Sequence, residues 1–414
     1  VEGKTGKALS PSQREAVRLM LGAKVSVMTG GPGVGKTSTL DSLLRILAAK
    51  GVRVLLAAPT GRAAKRMTEQ TGLDARTIHR LLEVDPRNGG FSRNAENPLD
   101  GDLVVIDESS MIDVPLMHAL LKAVPDHAGL LLVGDVDQLP SVGPGQVLAD
   151  VIASGCVPVA RLTEVFRQAA ESAIVVNAHR INQGCLPEGP SPGEAADFHV
   201  IAVEDPEAGV ACLTEVVARR IPRRFGLDPL RDIQVLTPML RGSLGSRNLN
   251  HELQRVLNPD PPTQIERFGW RFAPGDRVME TRNDYDREVF NGDLGHVARI
   301  DEAEGAVVVT FDGREVVYPF GELDTLMPAF ATTIHKAQGS EYPAVVIPVT
   351  VQHYTMLARN LLYTGVTRGR RLVVLIGQRR AIAMAVRSAE NRRRWTKLRE
   401  WLEAGRKNGE GRAC

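Results

Sequence analysis

The sequence predicts an α/β protein with two parallel β-sheet domains, and three observations carry this prediction. First, seven runs rich in Val, Ile and Leu are continuously apolar, which is typical of strands buried on both faces of a parallel sheet. These runs cover residues 25–28, 52–57, 103–106, 130–133, 233–236, 345–349 and 372–376. Second, longer helical patterns separate the runs. Third, the runs form an early group of four and a late group of three, which indicates two α/β domains.

Composition excludes several classes of protein. The 414 residues are 43% hydrophobic, which supports packed cores and excludes a disordered chain. A net charge of +2 predicts no overall attraction to polyanions, so any nucleic-acid binding must come from local clusters. No stretch approaches the ~20 apolar residues of a membrane span. Four widely separated cysteines favour reduced thiols in a cytoplasmic protein over a zinc site. Because the chain begins with Val1 and has no charged-then-apolar leader, we expect it to be trimmed or processed.

Changes of pattern along the chain predict its domain boundaries. Between residues 268 and 326, short strands are separated by Asn-Gly, Glu-Gly and Asp-Gly turns, which indicates a small antiparallel barrel. We expect a first α/β domain at 1–168, a second at 169–266 and 328–404, the inserted barrel at 267–327 and a disordered tail at 405–414.

A glycine-rich loop, GGPGVGKT at residues 30–37, follows the first apolar run and precedes a helical pattern at 38–49. Such a loop curls consecutive backbone N–H groups round a phosphate, and the helix N-terminus adds positive potential. Lys36 is expected to reach the β and γ phosphates, and Thr37 to bind Mg²⁺. The predicted cofactors are ATP and Mg²⁺, with nucleotide contacts from Gly31, Gly33, Val34, Gly35, Lys36, Thr37 and Ser38.

An acidic pair completes the predicted phosphate site. The run at 103–106 ends in Asp107 and Glu108, where strand ends reach a nucleotide crevice. We expect Asp107 on the magnesium side and Glu108 as the base that activates water. Gln13 precedes the first strand and is a candidate for the adenine edge, because an amide both donates and accepts. The alternative for this segment is helix capping by Ser10 or Ser12.

Eight motif-like segments follow one another along the chain: GGPGVGKT, APTGRAAKRM, TIHRLL, VIDESSM, GDVDQLPSVGPG, LTEVFRQ, TIHKAQGSE and YTGVTRGRR. Their order resembles that of the superfamily 1 helicase motifs, and their residues are most similar to the RecD family in its longer stand-alone branch. The resemblance extends from Gln13 to about Gln378. Long family members carry an additional N-terminal region that is not represented here.

The resemblance implies two RecA-like domains facing each other across an ATP cleft, with single-stranded DNA crossing both. The inserted barrel resembles a Src-homology-3-like fold that braces the strand or a hairpin; the alternative is a module for stability alone. Gln138 resembles the residue that contacts the γ-phosphate or the attacking water. Arg167 and Arg368 resemble two arginines that reach the γ-phosphate from the second domain's side, the alternative being surface arginines. Glu341 resembles a nucleotide-side acid that bonds the ribose.

The remaining motif residues are expected to contact DNA through sugar and phosphate, which carry no sequence information. For each one the alternative is a helix-capping or core role, and His79 in particular is a candidate buried histidine. The predicted set is Thr60, Gly61, Arg62, Thr77, His79, Thr237, Pro238, Thr333, His335, Lys336 and Gln338.

A short insertion at about residues 83–102 contains Asn-Gly-Gly, a hairpin signal. In the family such a hairpin is the pin that splits duplex DNA; the alternative is a solvated loop. The insertion is too short for the accessory domains of the 3′ to 5′ branch. The sequence therefore predicts a monomeric, ATP-dependent 5′ to 3′ DNA helicase, acting on single strands and single-strand/duplex junctions in repair or recombination. Two alternatives remain open: a nucleotide-switched DNA-binding motor subunit of a larger nuclease-helicase complex, and an RNA-directed helicase.

Overall fold

The computed structural model describes residues 9–85, 89–165, 171–190, 196–284, 286–388 and 394–410, with side chains up to 406 in the last range. The chain divides into two compact units. Unit 1 contains Val1–Glu171 and Asn391–Cys414, and unit 2 contains Ser172–Glu390.

Unit 1 is built on a six-stranded parallel sheet with strand order β3-β2-β6-β7-β1-β8. Its strands are β1 (Val25–Thr29), β2 (Val54–Ala58), β3 (Ala75–Thr77), β6 (Leu103–Ile106), β7 (Gly129–Gly134) and β8 (Val159–Arg161). Its first six helices are α1 (Pro11–Gly22), α2 (Lys36–Ala49), α3 (Gly61–Thr71), α4 (Ile78–Leu81), α5 (Val114–Ala123) and α6 (Val147–Ser154).

Both faces of this sheet are covered by apolar cores. Successive side chains of a strand point to opposite faces, so Val104 and Ile106 join one core and Val105 joins the other. This explains why the strand sequences are continuously apolar.

The insertion in unit 1 begins as a two-stranded antiparallel hairpin of β4 (Val84–Asp85) and β5 (Gly90–Phe91). Its base is fixed by an ion pair between Arg93 and Glu83 at 2.8 Å. The backbone N–H of Ser92 also donates to the Glu83 carbonyl at 2.8 Å.

Unit 2 contains a five-stranded parallel sheet with strand order β18-β10-β19-β20-β9. Its strands are β9 (Phe198–Ala202), β10 (Ile233–Thr237), β18 (Ala331–Thr333), β19 (Tyr342–Val349) and β20 (Gly369–Gly377). Its helices are α7 (Ala173–Asn182), α8 (Pro206–Glu215), α9 (Ile221–Phe225), α10 (Ser246–Leu257), α11 (Arg359–Val366) and α12 (Arg379–Arg387).

A small antiparallel sheet lies between β10 and β18 in the sequence, with strand order β16-β15-β14-β13-β17. Its strands are β13 (Arg277–Glu280), β14 (Leu294–Asp301), β15 (Ala306–Phe311), β16 (Arg314–Pro319) and β17 (Leu326–Pro328), preceded by the hairpin of β11 (Ile265–Arg267) and β12 (Trp270–Phe272). Asp312 and Gly313, both with positive φ, form the predicted tight turn. Buried Asp276 accepts from Gln254 Nε2 at 2.6 Å and Asn258 Nδ2 at 2.9 Å, which fixes this sheet to the end of α10.

The predicted α/β class is confirmed, and two details of the prediction are wrong. The apolar runs did not indicate the four strands at the edges of the two parallel sheets. Residues 391–404 belong to unit 1 and not to the second domain, because helix α13 (Leu398–Glu410) packs on α6. This helix also covers most of the predicted disordered tail. In the described part of the chain, no helix combines the length and apolar character needed to span a membrane.

Candidate nucleotide site and nucleic-acid-binding motifs

The glycine-rich loop lies between β1 and α2, as the sequence predicts. Gly33 and Gly35 have φ of 76° and 78°, a conformation in which side chains are strained. At Gly30 a Cβ atom would lie 2.8 Å from the Leu162 carbonyl oxygen, so this position has no room for a side chain. The loop therefore presents backbone N–H groups at the N-terminus of a 14-residue helix, an arrangement suited to phosphate.

The Lys36 ammonium lies over this loop. Its Nζ donates to the carbonyl oxygens of Gly30 at 2.5 Å and Gly31 at 2.9 Å. These bonds place the charge at the mouth of the loop, where a nucleotide phosphate would replace the carbonyls as acceptor. Thr37 and Ser38 follow in the first turn of α2.

Gln13 is buried and connects α1 to the phosphate loop. Its side-chain Oε1 accepts from the Ser10 backbone N–H at 3.0 Å, and Ser10 Oγ accepts from the Gln13 N–H, which forms a capping box. Its Nε2 donates to the carbonyls of Val34 and Gly35, each at 3.4 Å. The capping alternative is thus present, and the adenine contact stays a prediction.

The acidic pair lies directly after β6. The Glu108 N–H donates to Asp107 Oδ1 at 2.8 Å. Burial and the charge of Glu108 raise the pKa of Asp107 to about 6, against the opposing charges of Arg66 and Lys36. Glu108 has φ of 49°, a strained conformation of the kind that concentrates at functional sites. Its carboxylate is buried and lies 3.4 Å from Arg66 Nη2.

Thr37 and Asp107 are suitable in chemistry for Mg²⁺, since hydroxyl and carboxylate oxygens are hard ligands. The described residues contain no group of three or more His, Cys, Asp or Glu side chains arranged round a metal position. A P-loop magnesium site needs only one or two protein ligands, because phosphates and water complete its shell.

The loop after β7 carries Gln138. Its Nε2 donates to Asp135 Oδ2 at 3.2 Å, and Asp135 Oδ1 accepts from the Asp137 N–H at 3.1 Å. Ser109, next to Glu108, donates its hydroxyl to the Val133 carbonyl at 2.7 Å. The two segments that bear Glu108 and Gln138 are therefore joined by a direct hydrogen bond.

Two hydroxyls predicted to contact DNA in unit 1 cap helices. Thr60 Oγ1 accepts from the Ala63 N–H at 3.2 Å at the start of α3, which begins with Gly61 and Arg62. Thr77 Oγ1 accepts from the Arg80 N–H at 3.1 Å at the start of α4.

His79 connects its motif to the hairpin. It is half-buried, and its ring centroid lies 5.8 Å from that of Phe91 in β5. Burial lowers the pKa of His79, which favours the neutral imidazole, while the charge of Asp113 opposes the shift.

In unit 2, the predicted DNA contacts lie at the carboxyl ends of β10 and β18 and directly after them. The Thr237 hydroxyl is buried and donates to the Leu244 carbonyl at 2.7 Å; Pro238 follows it. Thr333 Oγ1 accepts from the Lys336 N–H at 3.4 Å, and Lys336 Nζ lies 3.3 Å from Met327 Sδ.

His335 and Gln338 lie within and just after the short 3₁₀ turn that follows β18. Burial lowers the pKa of His335. Gln338 is buried.

The cleft residues predicted by resemblance have different surroundings. The Arg368 guanidinium is buried and donates to the carbonyls of Thr364 at 3.2 Å and Ser340 at 3.3 Å. Glu341 forms an ion pair with Arg370 at 2.6 Å. Arg167 lies outside the described residues.

Sequence reasoning missed Arg66 and Phe91. Arg66 lies four residues after Arg62 on α3, a helical spacing that places both on one face. Phe91 directly follows the Asn-Gly-Gly turn sequence, and an aromatic residue beside a polar turn could have marked it as a contact residue. Neither contact, with Glu108 or with His79, follows from the sequence alone.

Three family profiles match the chain: an AAA domain over residues 13–144, an ATP-dependent RecD-like DNA helicase SH3 domain over residues 249–311, and a UvrD-like helicase C-terminal domain over residues 328–376. The chain is 33% identical over 410 residues to the RecBCD enzyme subunit RecD of Mycolicibacterium smegmatis, an alignment that covers 90% of this chain and 72% of that protein. The chain belongs to the RecD family.

The chain is also 40% identical over 376 residues to the ATP-dependent RecD2 DNA helicase of Deinococcus radiodurans. That alignment covers 89% of this chain and 49% of the relative, so the chain spans about half of that protein's length. Among solved structures, the Pif1 helicase from Bacteroides in complex with ADP-AlF3 and ssDNA has a TM-score of 0.58 at 19% identity, covering 97% of this chain and 98% of that one. Pif1 from Candida albicans has a TM-score of 0.56 at 19% identity, covering 97% and 100%. These likenesses establish the shared helicase fold.

Proposed function

We propose that this RecD chain is an ATP-dependent DNA helicase motor that translocates 5′ to 3′ on single-stranded DNA and unwinds duplex. One observation carries the proposal. Strands β6, β7 and β1 are neighbours in one parallel sheet, and their carboxyl ends bear the acidic pair, Gln138 and the phosphate loop. In an open α/β sheet this edge is where nucleotides bind.

The residues of this edge have complementary chemistry for hydrolysis. Lys36 and the loop N–H groups bind the phosphates, and Thr37 and Asp107 are proposed to hold Mg²⁺, which neutralises phosphate charge. Glu108 accepts a proton from the water that attacks the γ-phosphorus, and the bond to the β-phosphate oxygen breaks to release ADP and phosphate. Arg66 holds the Glu108 carboxylate in position.

The DNA side of the proposal rests on family membership and on the motif residues. The polar groups after β2, β3, β10 and β18 are proposed to contact sugar and phosphate. Glu341 is proposed to contact the ribose, and Arg167 and Arg368 the γ-phosphate. The hairpin of β4 and β5 is proposed as the pin. We also propose a monomeric, cytoplasmic protein that acts on single strands and junctions in repair or recombination.

The proposal is tested by measuring ATP hydrolysis and strand displacement with the isolated chain. Hydrolysis is expected to rise with oligo(dT) and to require Mg²⁺. Displacement is expected on a duplex with a 5′ tail and not on one with only a 3′ tail. A hydrolysis rate that does not change when DNA is added contradicts the proposed motor activity. Displacement that requires a 3′ tail contradicts only the proposed 5′ to 3′ polarity.

A second candidate function is a motor subunit of a larger nuclease-helicase complex. It is supported by the 33% identity to a RecBCD subunit over most of both chains. DNA-stimulated hydrolysis without strand displacement by the isolated chain favours this candidate. If a 5′ RNA tail supports strand displacement as well as the 5′ DNA tail does, the result would instead favour an RNA-directed helicase.

A further inference from the structure

The C-terminal arm, residues 394–410, follows unit 2 in the sequence but folds as part of unit 1. Its helix α13 packs on α6, and Leu398 and Leu402 pack against the apolar core that contains Val147 and Val151. Burial of these leucines favours docking of the arm.

Arg394, at the start of the arm, binds the loop that follows Gln138. We name residues 139–146, with sequence LPSVGPGQ, the Pro-Gly loop. Arg394 Nη1 donates to the carbonyls of Gly143 at 2.7 Å and Gly145 at 2.8 Å, and lies 3.4 Å from Ser141 Oγ. Hydrogen bonds from a charged donor are about twice as strong as neutral ones, so Arg394 is a strong restraint on this loop.

The Pro-Gly loop has no regular secondary structure. It contains no helix or strand, and Gly145 has φ of 88°. Within it, the buried Ser141 hydroxyl lies 3.1 Å from the Gly143 carbonyl and 3.4 Å from the Gly145 carbonyl, the two acceptors that it shares with Arg394. Glycine allows many backbone conformations, so external contacts must select this one.

The loop also packs against the segment that follows the acidic pair. The Val114 N–H donates to the Pro144 carbonyl at 3.0 Å, and Gly143 is so close to Asp113 that a Cβ atom would overlap its carboxylate. Asp113 lies five residues after Glu108 and caps α5. Its charge also acts on His79, a predicted DNA contact.

We propose that Arg394 is a positioning residue for ATP hydrolysis, which holds the Pro-Gly loop between Gln138 and the Glu108 segment. The inference rests on the proposed function. Without Arg394, the carbonyls of Gly143 and Gly145 lose their charged donor, and the loop gains alternative conformations. Gln138, immediately before the loop, then no longer has a fixed position relative to the phosphate site.

The first test measures the loop without any nucleotide, by hydrogen exchange on the full chain. The informative amides are Val114, bonded to Pro144, and Gln138, bonded to Asp135. In R394A we expect both to exchange about tenfold faster. The matched control is R399A on the same arm, whose guanidinium pairs with Glu403 within α13. Unchanged exchange in R394A overturns the proposal.

The second test measures hydrolysis with saturating oligo(dT), well below the unfolding temperature. In R394A, kcat is expected to fall about tenfold while KM for ATP stays within about twofold, because the phosphate loop is intact. R394K is expected to recover part of the loss, and R399A to match wild type.

Faster exchange with unchanged kcat overturns the positioning role. A wild-type chain without DNA-stimulated hydrolysis contradicts the proposed function instead, and the exchange result still decides whether Arg394 holds the loop.

Discussion

The carboxyl edges of the two parallel sheets carry similar polar residues and use them differently. At the edge of the first sheet, Gly33 and Gly35 leave the backbone N–H groups available, and the Lys36 ammonium rests on carbonyls of its own loop. At the edge of the second sheet, the Thr237 hydroxyl and the His353 ring are buried and bonded to backbone groups of their own unit.

The difference indicates what each edge is built to do. A backbone cradle with a half-exposed ammonium can exchange its own carbonyls for phosphate at low cost, because the first N–H groups of a helix have no partner within the helix. Side chains bonded to internal backbone groups stabilise loops and must be released before they bind a ligand. The first edge is therefore suited to chemistry, and the second to holding the loops between its strands.

The largest expected effect is at the first edge. K36A removes the charge that we propose contacts the phosphates, and we expect ATP hydrolysis to fall at least about 10³-fold. Single-stranded DNA binding is expected to persist, because the predicted contacts lie elsewhere. The matched control is K50A, at the exposed end of the same helix. Near-normal hydrolysis in K36A would refute the phosphate site.

The next effect concerns the base. E108Q keeps the shape of the side chain but removes its ability to accept a proton, so we expect nucleotide binding with kcat about 100-fold lower. E69Q, on the exposed face of α3, serves as the control. A wild-type kcat in E108Q would show that a residue other than Glu108 is the base.

Arg368, just before the amino end of β20, tests whether buried polar side chains of the second sheet are structural alone. R368A removes the buried donor that the carbonyls of Thr364 and Ser340 share, which costs about 1–3 kcal/mol of unfolding free energy. If the arginine also reaches the γ-phosphate, DNA-stimulated kcat falls about 100-fold with a smaller change in nucleotide affinity.

The comparison variant is R371A, three residues later in β20 and exposed. Calorimetry and steady-state kinetics on both variants separate the two roles. A stability loss in R368A with unchanged kcat would show that the guanidinium serves only the fold.

The apolar runs predicted seven of the eleven strands in the two parallel sheets that the described residues form. The four missed strands, β3, β8, β9 and β18, are the outer strands of the two sheets. An edge strand has a neighbour on one side only and tolerates polar residues, so Ala-Arg-Thr in β3 gives no apolar signal. Runs of Val, Ile and Leu mark only strands enclosed by neighbours.

Prediction from the sequence has the same limit at the candidate site. The phosphate loop was predictable because its function lies in consecutive backbone groups, and the glycines that permit it are adjacent in sequence. Arg394 was not, because its acceptors at Gly143 and Gly145 are about 250 residues away in the chain. The boundary error at residues 391–404 has the same cause, since sequence order does not show which unit a terminal helix joins.

The smallest expected effect concerns a buried titratable group at the second edge. His353 lies in the 3₁₀ turn after β19, and burial lowers its pKa to about 4. Its Nδ1 accepts from the Thr350 N–H at 3.4 Å, so the neutral ring is the form that fits. A folded pKa below the ordinary 6.5 means that this stability is complete above pH 6.5 and declines as the pH falls from 6.5 toward 4.

At pH 5 the loss from this one group is about 2 kcal/mol. H353Q keeps an acceptor and does not titrate, so its unfolding free energy is expected to fall less than that of wild type between pH 7.5 and pH 5. H118Q, which replaces an exposed histidine in unit 1, is the matched control. Carboxylates that protonate in this range contribute equally to all three proteins and cancel in the comparison. Parallel curves for H353Q and wild type would show that His353 can be charged in the folded unit, and that the second edge is more open than its buried side chains indicate.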